Sequence, residues 1–350
     1  MPPTAKPKIT STAAFARYVG LARTTVSRVL NNQPGLRAET VARVRRAMEE
    51  VGFSPNPYAV FLLRGKTGTI GICLRHMDAP AIHEKVFILQ RLLRERGYTA
   101  LIESTWDDRH ETERVTRHFM LMRVEAVVFL GGYEQEHIKA AARLLSPQGT
   151  PALLTDQVEY SGFNRVTLNR SQAMEELVVH LHGLGHRMFG LLGIRLNFLF
   201  NQSRIRGIER GLERCGLSFD TAVERVALDP HGSRSYAYGR KLAEAFLARG
   251  MPATAFLGLN DEVAIGAMWR FQEAGLRVPA DLSITGFNHQ EISQHVTPKL
   301  TTIDQQIEVV MAAVADQVLD MIANPGKRLR KRVIEAKLIL ADSVGPAPKR

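Results

Sequence analysis

Over the first fifty residues apolar positions recur with helical spacing, and from residue 69 they gather into short unbroken runs separated by amphipathic stretches. Val26, Val29 and Leu30 fall at i, i+3 and i+4, so they share one face of a short helix, while Arg23, Thr24, Ser27 and Arg28 take the other face. Upstream, Ser11 to Tyr18 forms a first helix, and Gly20 supplies the tight turn between the two. Downstream, Asn32-Gln33-Pro34-Gly35 is a turn, and Val41, Val44, Met48 and Val51 make the apolar stripe of a third helix. Three short helices with a glycine turn before the second predict a helix-turn-helix domain over 11–54, preceded by a loose basic arm over 1–10.

From Thr69 the pattern is that of strands alternating with helices. Ile70–Leu74, Ala100–Ile102, Ala126–Leu130 and Pro151–Leu154 predict one set of strands. Val166–Leu168, Met188–Leu192, Val223–Leu228, Ala255–Leu257 and Ser283–Phe287 predict a second, with helical segments between them. Such alternation implies two α/β lobes with mostly parallel sheets covered on both faces. The lobes are expected at about 67–164 with 293–323, and at about 165–292 with 324–344. Residues 300–303, 305–323 and 333–340 return between them, and 345–350 form a disordered tail.

Charge sharpens this picture. The 350-residue chain carries a net +11, and residues 1–66 hold 11 Lys and Arg against 3 acidic residues. A basic head favours a polyanion such as DNA through counterion release. On the second helix, guanidinium forks suit guanine edges and phosphates, and hydroxyls suit phosphates or bases. The alternative is an ordinary solvated basic face. Cys73 and Cys215 have no paired spacing, so neither a disulfide framework nor a cysteine-ligated metal is implied, and a reduced cytoplasm fits. Met1–Thr10 lacks an apolar signal core, and no apolar stretch approaches membrane-spanning length. No Gly-x-Ser-x-Gly elbow, phosphate loop or zinc-protease motif is present, which argues against an enzyme.

Thr25-Val26-Ser27-Arg28-Val29-Leu30-Asn31, Gly52-Phe53-Ser54-Pro55-Asn56 and Gly65-Lys66-Thr67-Gly68-Thr69-Ile70-Gly71, in this order and spacing, resemble the lactose-repressor (LacI/GalR-type) family of bacterial transcription regulators. The resemblance spans nearly the whole chain. It implies a three-helix DNA-binding head joined to a type I periplasmic-binding-protein-like body. It also implies a homodimer on a near-palindromic operator, most simply as a repressor, and a small effector in the cleft between the lobes, with no cofactor. Residues 55–66 then correspond to a hinge helix, with Asn56 at its start and Leu62 as the minor-groove wedge. Arg23 and Thr24 match base-reading positions, and Thr25, Ser27, Arg28 and Asn31 complete the DNA-contact set. Two departures stand out: Ala22 replaces the usual capping Ser, and Ala14-Phe15 replaces an acidic residue and a Val in the first helix.

In open α/β sheets, ligands bind beyond the carboxyl ends of the strands. Asp261, at a strand-to-helix junction, either caps its helix or, as the family's Asn-Asp motif implies, contacts ligand hydroxyls. Arg204 matches the family's effector-binding arginine; a guanidinium there makes an acidic effector plausible, whereas surface salt bridging is the plain alternative. Asn288 stands where the family commonly has Asp, and Asp156 and Asn169 complete the effector candidates. Arg195-Leu196-Asn197 and Gly286-Phe287-Asn288-His289 faintly resemble the family's gluconate-type repressors, whereas Met77–His83 departs from the usual effector-side loop. His180, His182 and His186 invite a metal reading, but Leu184-Gly185-His186-Arg187 resembles a structural helix-to-strand junction. The rival reading is a carbohydrate receptor of periplasmic type without DNA binding, which leaves the basic head unexplained.

Overall fold

The computed structural model describes residues 9, 11–30, 33–54, 66–75, 80–106, 108–156, 160, 162–196, 201–226, 228, 235–326 and 329–349. Contacts divide the chain into two compact units, Met1–Gly68 and Thr69–Arg350.

The first unit holds α1 (Thr12–Val19), α2 (Arg23–Leu30) and α3 (Ala38–Val51). Ser11 caps α1 by accepting from the Ala14 amide at 3.1 Å, and Gly20 at φ 68° ends it. Val26 and Val29 of α2 are buried with Val19, Val44 and Ala47. Phe15, one of the departures from the family pattern, stacks on Phe53 with ring centroids 4.2 Å apart, so it closes the core between α1 and the end of α3. Arg43 donates to the Val19 carbonyl at 2.6 Å, tying α3 to the α1 C-terminus.

The second unit contains β1 (Thr69–Leu74), α4 (Pro80–Glu95), β2 (Thr99–Ser104), α5 (Arg109–Leu121), β3 (Ala126–Leu130), α6 (Gln135–Leu145), β4 (Ala152–Thr155), β5 (Asn164–Asn169) and α7 (Arg170–Gly183). It continues with β6 (Phe189–Leu192), α8 (Gln202–Arg214), α9 (Phe219–Ala222), β7 (Val223–Arg225), α10 (Tyr236–Leu247), β8 (Ala255–Gly258), α11 (Asp261–Glu273), β9 (Ser283–Thr285), β10 (Thr302–Asp304), α12 (Ile307–Ala323), β11 (Lys331–Glu335) and β12 (Lys337–Ile339). The first sheet has the order β11-β5-β4-β3-β1-β2 and the second β7-β6-β8-β9, both parallel, and β10 pairs antiparallel with β12. Each sheet is sandwiched. α4 and α12 cover one face of the first sheet and α5 and α6 the other; α7 and α8 flank one face of the second, α10 and α11 the opposite one.

Two boundaries differ from the sequence expectation. Residues 164–169 join the first sheet, not the second lobe, because β5 hydrogen-bonds to β4 and buries Val166 and Leu168 with α12. The segment expected as one strand over 333–340 breaks at Ala336: β11 extends the first sheet beside β5, and β12 turns to pair with β10. The tail is also ordered through residue 349 rather than loose. Gly345 donates to Ser283 Oγ at 3.0 Å, and Ala347 donates to the Leu184 carbonyl at 2.8 Å.

His186 explains that anchoring. It is fully buried, with Nε2 3.1 Å from the Gly345 carbonyl and Nδ1 2.8 Å from Thr254 Oγ1. A carbonyl can only accept, so Nε2 carries the proton and Nδ1 accepts from the threonine hydroxyl. Burial pulls this imidazole below its ordinary pKa, which suits the neutral ring. The histidine is a structural joint, as its junction motif suggested.

Cys73 in β1 is fully buried, its Sγ accepts from the Tyr133 hydroxyl at 3.4 Å, and burial pushes its thiol up to about 12. In the native protein near neutral pH, a disulfide-exchange reagent is expected to reach at most the half-buried Cys215. Rapid release of two equivalents of the chromophore before denaturant is added would contradict this. Among the described residues, no helix is long and apolar enough to cross a membrane.

Candidate functional site

In the first unit, α2 turns its apolar side inward and leaves Arg23, Thr24 and Arg28 exposed, with Thr25 and Ser27 half-buried at the edges. Arg28 also donates to the Pro34 carbonyl at 3.3 Å, which braces the turn after the helix. No side chain caps α2 at Ala22, but the Ala22 carbonyl accepts from Val26 at 3.1 Å, so the first helical turn still forms. The result is a helix whose outward face carries only donors and hydroxyls at three- and four-residue spacing. Asn31, Asn56 and Leu62 lie outside the described residues.

In the second unit, the carboxyl ends of both sheets meet across a polar seam. From the first sheet comes Asp156, just past β4, and beneath that sheet lies Lys85 on α4. Asp156 is bonded by the Lys85 ammonium on one oxygen and by Arg170 at 2.6 Å on the other. Burial opposes ionisation of Asp156, yet the two cations outweigh it and hold the carboxyl well below its usual range. Lys85 itself is pulled below its ordinary value by burial, with the attraction of Asp156 opposing that shift.

Lys85 also donates to Gln305 Oε1 at 2.8 Å, and the Gln305 amide donates to Asn288 Oδ1 just past β9. One continuous chain of polar contacts, Arg170–Asp156–Lys85–Gln305–Asn288, therefore links the lobes. Asp156 (φ 58°), Asn288 (φ 120°), His289 (φ 55°) and Gln306 (φ 48°) all occupy the left-handed side of backbone space. Strain concentrated in this way costs roughly 1 kcal/mol or more per residue and is typical of ligand clamps and switch regions.

Arg204 of α8 is buried, donates to the Leu259 carbonyl at 2.8 Å, and lies over the Phe287 ring at 3.9 Å. It is thus packed at the mouth of β8 and β9 rather than lying on the surface.

Two candidates are placed differently from expectation. Asp261 is fully buried beneath the seam, where its oxygens accept from the Thr302 hydroxyl and from the Gln290 amide, the latter at 2.7 Å. Burial raises its pKa, with these two hydrogen bonds opposing the rise. Its neighbour Asn260 is the helix cap, accepting from Val263 at 2.9 Å. Asp261 therefore fixes the loop that carries Asn288 and His289.

Asn169 is likewise a joint. It caps α7 by accepting from Gln172 at 3.3 Å and donates to the Glu335 carboxylate at 2.9 Å, while Gln306 donates to the Glu335 carbonyl. The three passages of chain between the lobes, near residues 169, 305 and 336, are stitched together at Glu335.

Lys85, Arg170 and Gln305 were not among the sequence candidates. Lys85 was detectable: it shares the i, i+3, i+4, i+7 stripe with Ile88, Leu89 and Leu92, which the fold buries, and a charge on such a stripe calls for a partner. Nothing local marks Arg170 or Gln305.

A helix-turn-helix head and a body of two parallel-sheet lobes define a DNA-binding protein with a periplasmic-binding-like domain. Residues 15–56 match the family described as bacterial regulatory proteins, lacI family, and residues 178–344 match the periplasmic binding protein-like domain. The chain is 26% identical to the HTH-type transcriptional regulator DegA of Bacillus subtilis (strain 168), over 95% of its own length and 97% of that protein. It is 27% identical to the lactose operon repressor of Escherichia coli (strain K12), over 87% of its length and 83% of the repressor. A crystal structure of the lac repressor dimer bound to operator and the anti-inducer ONPF superposes with a TM-score of 0.86 at 24% identity, covering 97% of this chain and all of that one. The chain thus carries a lacI-family DNA-binding domain and a periplasmic binding protein-like domain, and the relatives it matches over nearly their whole length are DNA-binding transcriptional regulators.

Proposed function

We propose that this regulator is a repressor that binds a near-palindromic operator as a homodimer in the cytoplasm, and that a small carbohydrate-like or sugar-acid effector in the inter-lobe cleft sets its affinity. The observation that carries the reading is α2: a buried Val26–Val29 side holds Arg23, Thr24 and Arg28 outward on a strongly basic unit. Residues 11–54 supply the operator contacts, with Thr25, Ser27 and Asn31 beside the exposed three. Residues 55–66, with Asn56 and Leu62, form the hinge segment, and 67–344 form the effector and dimerisation body. The likeness to a lac repressor dimer on operator supports the dimer and its DNA partner. In the cleft, Arg204 and Asn288 face the effector together with Asp156, and Asp261 and Asn169 hold the surrounding loops. Effector and operator then alter each other's affinity reciprocally, by linkage.

Selection of bound fragments from genomic DNA, followed by fluorescence anisotropy on the recovered site, tests the reading. Specific binding is expected to exceed nonspecific binding by at least 10³-fold or so at physiological salt. Arg23→Ala should reduce that ratio by about 10- to 100-fold, the discrimination one side chain gives at a base edge. Recovery of no common sequence, or an unaltered ratio in the variant, would refute the operator role of α2.

A further inference from the structure

β11 closes one edge of the first sheet, with β5 on one side and, among the described residues, no strand on the other. The Arg165 amide donates to the Arg330 carbonyl at 3.0 Å, and in a parallel ladder alternate residues face a given neighbour. Arg332 and Ile334 therefore face β5, while Lys331, Val333 and Glu335 turn their backbone N–H and C=O groups outward. The far end is covered, because the Glu335 carbonyl accepts from the Gln306 side chain. Side chains alternate as well: Ile334 packs toward the core under α12 and Arg330 bonds Asp320 of α12 at 3.0 Å, which puts Arg332 on that side and Lys331 and Val333 on the other. A groove of about 500 Å³ lies between α12 and β11, lined by Asp316, Gln317, Asp320, Arg330, Lys331 and Arg332. Its two carboxylates are engaged, Asp320 by Arg330 and Asp316 by Arg96 at 2.8 Å. Arg332 is exposed on the edge, and the sequence 327–332 holds five cations in six positions and no acid. Charges on an edge strand commonly serve only to keep sheets of different copies from pairing. A pure guard would be polar throughout, whereas Leu329 is 51% and Val333 42% exposed within this one.

We propose that β11 is a docking edge for an extended acidic segment of a partner protein, which adds a strand beside residues 331–333 and sets its carboxylates against Lys331 and Arg332. Strand addition draws its affinity from main-chain hydrogen bonds and its selectivity from the alternate side chains. Here the cations select an acidic strand and repel a second copy of the same basic edge. A DNA duplex meets the cations but has no amides for the outward N–H and C=O groups, leaves Val333 and Leu329 uncovered, and is opposed by Asp316 and Asp320 in the groove. An acidic strand satisfies the backbone, the charge and the apolar positions together.

The test uses the full chain and fluorescence anisotropy of a labelled peptide of alternating Glu and Val. Its Lys-Val counterpart, the Glu-Val peptide N-methylated at alternate amides, and a short DNA duplex are the comparison probes. The Glu-Val peptide is expected to bind, and the Lys-Val and N-methylated peptides to bind at least roughly 10-fold more weakly, since one lacks the charge and the other the ladder. Arg332→Ser should weaken the Glu-Val peptide about 2- to 5-fold, the range of one exposed ion pair, and added salt should erase that difference. Val333→Pro removes an outward N–H where an edge strand tolerates proline, so the variant should fold and lose roughly 10-fold or more in affinity. The peptide comparisons and Arg332→Ser decide the matter even if Val333→Pro folds poorly. Four results would each overturn the proposal: no binding of the Glu-Val peptide, equal binding of its N-methylated form, duplex that displaces the peptide and is itself weakened by Arg332→Ser, or self-association of the native chain that Val333→Pro abolishes.

Discussion

Gly266→Ala is expected to lower the stability of the body by about 2 kcal/mol or more, against the usual benefit of alanine in a helix. α10 and α11 approach backbone to backbone through Gly239 and Gly266. A Cβ at 266 would stand 2.0 Å from the Tyr236 carbonyl oxygen, and one at 239 would stand 2.1 Å from the Val263 carbonyl oxygen. The helical preference for alanine over glycine is worth only about 1 kcal/mol. The opposing atoms are main chain and cannot rotate away, so relief requires the helices to separate, and overpacking of this kind typically costs about 1–3 kcal/mol. For a body of this size, the melting temperature should fall by roughly 3–5 °C. Gly183→Ala is the control. It ends α7 with nothing within 4 Å of its virtual Cβ, so the same exchange there should be neutral or stabilising by about 0.5–1 kcal/mol. Equal melting temperatures for the two variants would refute the backbone-to-backbone approach of α10 and α11. The effect is functional as well as structural, because α11 begins at Asp261 and its position sets the floor of the cleft.

Asp261→Ala is the second large effect, and it is expected to act through position rather than through a lost ligand contact. The substitution leaves the Thr302 hydroxyl and the Gln290 amide without their acceptor in a fully buried site. At about 1–3 kcal/mol per unpaired buried group, a loss of roughly 3 kcal/mol follows. The loop through Asn288 and His289 is also released from its left-handed backbone conformation, so effector affinity should fall while operator affinity without effector changes little. Asp261→Asn separates charge from acceptor. Burial raises the pKa of Asp261, so the native carboxyl favours folding most below its ordinary unfolded value and loses that advantage as pH rises through the folded value. The deficit of the Asn variant relative to the native protein should therefore be larger near pH 4 than near pH 7. Chemical denaturation at the two pH values measures this, and a deficit that grows toward neutrality would mean that the buried carboxylate is stabilised as an anion.

Much of this organisation could be read directly from residue patterns. Val26, Val29 and Gly20 define the head because a three-helix unit offers few other ways to bury that stripe, and the runs at 70–74, 126–130 and 255–257 can only be interior strands. Lobe membership was not legible at Val166–Leu168. A buried parallel strand looks alike in either sheet, and its place is decided by pairing with β4 and β11, residues far away in sequence. The same limit applies at the cleft. Arg204 and Asn288 carry recognisable local motifs, but Arg170 and Gln305 acquire their significance only from what Lys85 and Asp156 bring to them. Asp261 and Asn169 were visible as polar residues at strand ends, where capping, positioning and ligand contact all select the same residue types.

Ala336 alone separates a strand of one sheet from a strand that leaves it, and Glu335 beside it is bonded to both other passages of chain. Three tethers gathered along a single line leave a pair of plates free to swing like a clamshell but not to slide past each other. Whatever enters between them, the travel it produces is a turn about that seam, largest at the rim farthest from residue 336.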